Sequence, residues 1–127
     1  MEFPAELKYT KNDEWISPDG TVGITDYAQD QLSDLVFVEI VVSEGDEVSQ
    51  GDIIASVESV KSAADVYAPV SGKVVAVNDA LADDPETINR DPYGDGWMVK
   101  LEIADPSELD SLMDAEQYKA YCEEREE

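Results

Sequence analysis

Few residues in this chain could do chemistry, and one of them stands in an unusual setting. The segment Glu58-Ser59-Val60-Lys61-Ser62-Ala63-Ala64-Asp65 lies between two apolar runs of strand-forming composition, Ile53–Val60 and Asp65–Val70. If the runs pair, Lys61 stands near a hairpin tip, where most proteins place Gly, Asn or Asp. Ser59, Ser62, Ala63 and Ala64 are small and leave the amine sterically bare. An exposed amine on a rigid turn suits enzymatic acylation. The modifying enzyme must reach it, and the domain must hold the attached group off its own surface. Two plainer readings stand beside this one: a lone lysine is commonly a solvated surface group, and Ala55–Ala64 also tolerates a helix. The chain has only eight Lys and Arg residues, which adds weight to a lysine at that place.

Other chemistry is excluded by composition. The 127 residues contain no histidine and one cysteine, Cys122. There is no imidazole base for a Ser-His-Asp or Cys-His pair, and no His or multi-Cys zinc site. Cys122 has no partner for an internal disulfide, which points to a reducing intracellular compartment. It also lies in an acidic tail, where neighbouring negative charge disfavours the thiolate. No apolar run reaches membrane-spanning length. Met1–Glu6 carries two acids and no base, unlike a targeting peptide. With 31 Asp and Glu against those eight bases, the formal net charge is −23. Such a surface repels nucleic acid and anionic lipid. The acids are scattered, which favours adaptation to a high-salt cytoplasm over one specific basic partner.

The elements that must position Lys61 read as mainly β. Short apolar runs alternate with Gly, Pro and Asp turns and make up one domain over residues 1–127, with a β core over about 21–103. Glu14–Ser17 and Thr21–Ile24 flank the turn Pro18-Asp19-Gly20, and Tyr27–Leu32 forms a brief helix capped by Thr25 or Asp26. Leu35–Val42 is a long strand, followed by two similar turns at Gly45-Asp46 and Gly51-Asp52. Lys73–Val77 is a further strand. Asn78–Gly96 reads as an ordered surface excursion. In Trp97–Ile103, residues Trp97, Val99, Leu101 and Ile103 alternate against Met98, Lys100 and Glu102. Residues 105–122 are helical: Asp105-Pro106-Ser107-Glu108 and Asp114-Ala115-Glu116-Gln117 carry capping patterns, and Leu109, Leu112 and Met113 make an apolar stripe. Residues 123–127 read as a frayed tail.

Glu58-Ser59-Val60-Lys61, followed by Asp65 and Ala68-Pro69-Val70-Ser71-Gly72, resembles the lipoylation segment of the glycine cleavage system H protein family. The resemblance extends over nearly the whole chain, through Glu14-Trp15, Val22-Gly23-Ile24-Thr25, Tyr27-Ala28-Gln29, Val36-Phe37-Val38-Glu39, Val77-Asn78, Ile88-Asn89, Asp91-Pro92-Tyr93 and Gly96-Trp97. It implies a barrel-sandwich hybrid of the biotinyl/lipoyl type, with lipoate in amide linkage to Lys61. It also implies a carrier rather than an enzyme. Glycine decarboxylase, which uses pyridoxal phosphate, loads an aminomethyl group on the arm. A tetrahydrofolate-dependent aminomethyltransferase takes it off, and a flavin dihydrolipoamide dehydrogenase reoxidises the dithiol. A lipoate-attaching enzyme must precede all three.

The resemblance further implies a cleft that shelters the loaded arm, whose amine is cationic at neutral pH and would be stabilised by a carboxylate. Glu14 matches the family's acid for that task, Asp65 a second polar position, and Asn12 a small polar one. The plainer alternative for Glu14, an ordinary strand-edge acid, carries less weight than the cleft role, and Trp15 and Trp97 read as packing residues. No metal ligands and no catalytic residues are assigned, and a monomer is the expected state. Four departures mark the chain. Asp13 precedes Glu14 where the family commonly has His, and Ser33 follows Leu32 where Gly is common. Gln31 replaces a frequent His, and a usual proline is missing around Val41 and Val42. Two other readings remain. One is an unmodified or lipoate-relaying interaction module. The other is a biotin carboxyl carrier, which would flank its lysine with methionines, whereas Val60 and Ser62 flank Lys61 here.

Overall fold

The computed structural model describes residues 2–125. In chain order it contains β1 (Lys8–Tyr9), β2 (Glu14–Ile16), β3 (Thr21–Ile24), α1 (Asp26–Leu32), β4 (Leu35–Ile40), β5 (Glu47–Val48), β6 (Ile53–Ser59), β7 (Ala63–Tyr67), β8 (Gly72–Val77), α2 (Ala80–Asp83), α3 (Thr87–Arg90), β9 (Val99–Ile103), a 3-10 helix (Pro106–Ser111) and α4 (Ala115–Arg125). A six-stranded sheet runs β1-β2-β3-β9-β8-β5, and a three-stranded sheet runs β4-β6-β7. Every strand pairing is antiparallel. No helix among the described residues is long and apolar enough to cross a membrane.

Period-two patterning makes the strands, because side chains on successive residues point to opposite faces. In β8, Val74 is buried while Lys73 and Val75 are exposed; in β9, Val99 and Leu101 are buried and Glu102 is exposed. The buried faces of both sheets meet in one core, with Val22, Val74 and Leu101 from the larger sheet and Leu35, Val38, Ile54 and Val57 from the smaller. The hairpin β2–β3 needs Gly20, whose φ is +91°. A Cβ there would lie 1.9 Å from the Leu101 carbonyl oxygen. The two similar turns repeat one device. The Asp46 carboxylate accepts from Ser43 N–H and the Asp52 carboxylate from Ser49 N–H, each at 2.8 Å.

Several boundaries differ from the sequence reading. The β core starts before residue 21, because β1 and β2 extend the larger sheet. Asn78–Gly96 is not purely an excursion. Helices α2 and α3 drive Leu81 and Ile88 into the core at 1% and 0% exposure. Met98, assigned by alternation to the outer face, is fully buried, because strand pairing resumes only at Val99. Glu123, Glu124 and Arg125, expected to fray, continue α4. Glu126 and Glu127 lie outside the described residues.

A second, aromatic cluster joins the N-terminal strands to α4. Tyr9 stacks on Tyr118 with ring centroids 4.7 Å apart, and Trp15 donates its indole N–H to the Pro92 carbonyl at 3.0 Å. Helix α4 opens with a reciprocal cap. Asp114 N–H donates to Gln117 Oε1, and Gln117 N–H donates to Asp114 Oδ1. Cys122 is buried in this cluster.

Candidate functional site

Strands β6 and β7 pair through Glu58↔Ala63, so the chain reverses over Ser59-Val60-Lys61-Ser62. Ser59 N–H donates to the Ser62 carbonyl at 2.7 Å and closes a turn with Val60 and Lys61 at its centre. The Ser59 hydroxyl, largely buried, accepts from the backbone N–H groups of Lys61 (3.3 Å) and Ser62 (3.0 Å). A serine oxygen thus takes over bonds that a turn closed by backbone alone would make. Val60 N–H donates to the Asp34 carbonyl at 3.3 Å, which ties the turn to the residue before β4. Neither central residue has a positive φ. Lys61 is exposed, and no ion pair among the described residues involves it. Its segment is a hairpin, and the helical alternative for Ala55–Ala64 does not occur.

From that tip, the five residues of β7 run from Ala63 to Tyr67, four steps that span about 13 Å at about 3.3 Å per residue. At its far end the Tyr67 N–H donates to Glu14 Oε2 at 3.0 Å. The Thr10 hydroxyl donates to Glu14 Oε1 at 2.6 Å and accepts from Glu14 N–H at 3.1 Å. Glu14 is only 1% exposed, so its role is not that of a solvated strand-edge acid. Burial pushes its carboxyl up to about 7, while the bonds from Thr10 and Tyr67 pull the other way. Glu14 lines a cleft of about 230 Å³ with Thr10, Asn12, Tyr67 and Met113.

Asp65 lies on a neighbouring cleft of about 140 Å³, with Asn12, Ala64, Leu32 and Gln31. The three polar positions singled out in the sequence therefore border two clefts along β7, with Asn12 common to both. Asp65 does not share a cleft with Glu14. Thr10 and the Tyr67 backbone were not legible as site groups. Tyr67 is 53 residues from Glu14 in the chain, and only the sheet topology brings them together.

Asp13, between Asn12 and Glu14, has φ +69°, and its carboxylate accepts three bonds from two side chains. Arg125 donates to both of its carboxylate oxygens, at 2.5 and 2.9 Å, and the Tyr118 hydroxyl donates to Oδ1 at 2.9 Å. Tyr118 also shares a 2.6 Å bond with the hydroxyl of Thr25, the N-cap of α1. The Arg125 guanidinium lies over the rings of Tyr27 and Tyr121, 4.7 and 4.9 Å from their centroids. Helix α4 therefore fixes the loop that carries Asn12 and leads into Glu14 at the start of β2.

Against known proteins, the profile of the family described as glycine cleavage H-protein matches residues 7–125. The glycine cleavage system H protein of Coxiella burnetii (strain Dugway 5J108-111) is 55% identical over 126 residues, covering 96% of each chain. That of Anaeromyxobacter sp. (strain K) is 51% identical, covering 99% of this chain and all of its own. A crystal structure of a glycine cleavage system H protein from Mycobacterium marinum superposes with a TM-score of 0.80 at 39% identity, covering 93% and 97% of the two chains. The mainly β, barrel-sandwich architecture is common to both structures.

Proposed function

The chain belongs to the glycine cleavage H-protein family, and from that premise we propose that it is the system's lipoyl carrier, with lipoate in amide linkage to Lys61. Residues 1–127 act as one carrier domain, and catalysis resides in the partner enzymes. The observation that carries the reading is one exposed, unpaired amine on a turn locked by Ser59, joined by a single strand to a cleft with a buried carboxyl.

These residues fit the group. Lys61 would hold the group through its amine, which makes no ion pair among the described residues, and β7 leads from the Lys61 turn to the Glu14 cleft. When bound, the lipoyl group supplies a disulfide that can be reduced and can carry a one-carbon amine, work for which Cys122 is unsuited because it is buried. Glu14 stabilises a cationic amine brought into its cleft through a charge-assisted hydrogen bond. The amine in turn favours the ionised carboxylate, so its arrival draws the Glu14 proton off. Asn12 and Asp65 flank the path with further polar atoms. Glycine decarboxylase, aminomethyltransferase and dihydrolipoamide dehydrogenase visit the arm in turn. The protein works as a monomer in a high-salt cytoplasm.

Intact mass measurement with peptide mapping of protein from native cells tests the assignment. A lipoyl adduct on Lys61, absent from Lys61→Arg, is expected; an unmodified native chain overturns it, and a biotin mass replaces it with a carboxyl carrier. Glu14→Ala should leave lipoylation intact and shorten the lifetime of the aminomethylated protein. An unchanged lifetime removes Glu14 from the cleft's function.

A further inference from the structure

Three of the most exposed large apolar side chains gather beside the Lys61 turn: Val60 (71%), Val36 (54%) and Phe37 (48%). Strand register places them on one face. Leu35 and Ser59 are partners and both point inward, so the next pair out, Asp34 and Val60, points outward. A β-bulge between Leu35 and Phe37 then sets Val36 and Phe37 together against Glu58. A regular strand would have turned one of the two inward, so the bulge is what presents both. Phe37 borders a cleft with Asn78, Asp79 and Ala82 at the start of α2, while Val36 and Val60 stay more than half exposed. Their rim is acidic, with exposed Asp34, Glu39 and Glu58, and the exposed Lys61 follows Val60 directly.

We propose that Val36, Phe37 and Val60 form the docking surface for the enzyme that acylates Lys61, and that this enzyme meets them with an apolar patch rimmed by basic side chains. The inference rests on the carrier reading above and names a partner for the same lysine. Reach selects this partner over the others. Before modification the amine extends only one lysine side chain from the turn, so its acylating enzyme must cover the hairpin tip and whatever flanks it. Enzymes that work on the far end of a finished arm need not. In the step itself the Lys61 nitrogen bonds to the carbonyl carbon of an activated acid, such as an acyl adenylate. The ammonium first gives up one proton to become nucleophilic; the carbon–oxygen bond to phosphate then breaks, AMP leaves with the bonding pair, and the nitrogen gives up a second proton as the amide forms. Lysine loses its charge in that step, which leaves the rim uniformly acidic and weakens nothing in the apolar contact. Apolar anchors at the centre of such a surface, with charges at its edge, are the arrangement in which a few side chains dominate affinity.

The test uses the full chain with purified lipoate-attaching enzyme, ATP and lipoic acid. Val36→Thr/Phe37→Ser should raise KM for the carrier about tenfold with kcat within about twofold, and Val60→Thr should raise it by about threefold. A small N-hydroxysuccinimide ester should label Lys61 of these variants at the unaltered rate, and their thermal midpoints should stay close to that of the parent. Raising salt should raise KM for the parent, because the rim contacts are charged. A KM unchanged by all three substitutions overturns the docking surface while leaving the carrier reading intact. A parent chain that is never acylated at Lys61 overturns both.

Discussion

Glu14 carries the sharpest consequence at the scale of single residues. Its ordinary value is 4.5 and in the fold it stands at about 7, chiefly through burial. An unfolded chain therefore releases this proton earlier than the native one as pH rises. The carboxyl costs no stability below about pH 4.5, costs progressively more through the interval, and costs its full amount above about 7. The difference of 2.5 units corresponds to about 3 kcal/mol at about 1.4 kcal/mol per unit. Glu14→Gln should thus gain on the parent in urea midpoint between pH 5 and pH 8, and two parallel pH profiles would refute this. That a glutamate stood at position 14 was plain in the sequence. That it is buried was not, because an acid within Glu14-Trp15-Ile16 looks the same whether the strand's flank is open or closed by Thr10 and Tyr67.

At the scale of elements, two junctions invite measurement. Helix α1 ends at Ser33, whose φ of +68° and ψ of −155° fall in a region that essentially only glycine occupies. Its N–H still caps Gln29, and its carbonyl accepts from Asn89 at 2.9 Å, so the strain is held by bonds on both sides. Glycine, which has no Cβ to clash in this conformation, relieves it. Ser33→Gly should raise unfolding free energy by about 1–2 kcal/mol, and a loss of stability would contradict the assignment of strain. The second junction is the contact of Arg125 and Tyr118 with Asp13. Arg125→Ala should cost about 1–2 kcal/mol. A double-mutant cycle with Asp13→Ala should return a coupling of about 1 kcal/mol, and zero coupling would mean that α4 is held by its aromatic contacts alone. The sequence marked the start of α4 through Asp114 and Gln117. It gave no sign that Glu123–Arg125 stay helical, because what holds them is a carboxylate 112 residues away.

Charge dominates the molecule taken whole. Only four ion pairs occur among the described residues, all but one of them well exposed, against a net charge of −23. Exposed pairs contribute little, so self-repulsion is opposed mainly by the core and by counterions. At about 1 M salt the Debye length is about 3 Å, and repulsion between neighbouring carboxylates is largely screened. The thermal midpoint should rise by several degrees between dilute buffer and molar potassium chloride. A midpoint independent of salt would speak against adaptation to a saline cytoplasm and for a basic partner as the reason for the acidity.

The sequence alone determined the mainly β class, the strands around Lys61, the capped helices and the position of the lysine, because periodicity, turn residues and small neighbours are local properties. The tertiary structure decided which groups meet. It brought Tyr67 to Glu14, divided Asn12, Asp65 and Glu14 between two clefts, pinned Asp13 beneath Arg125, and turned Val36 and Phe37 outward at a bulge. Each of these depends on strand register and on contacts between distant segments. Neither is encoded in any single stretch of chain; both are fixed when the two sheets close on a shared core.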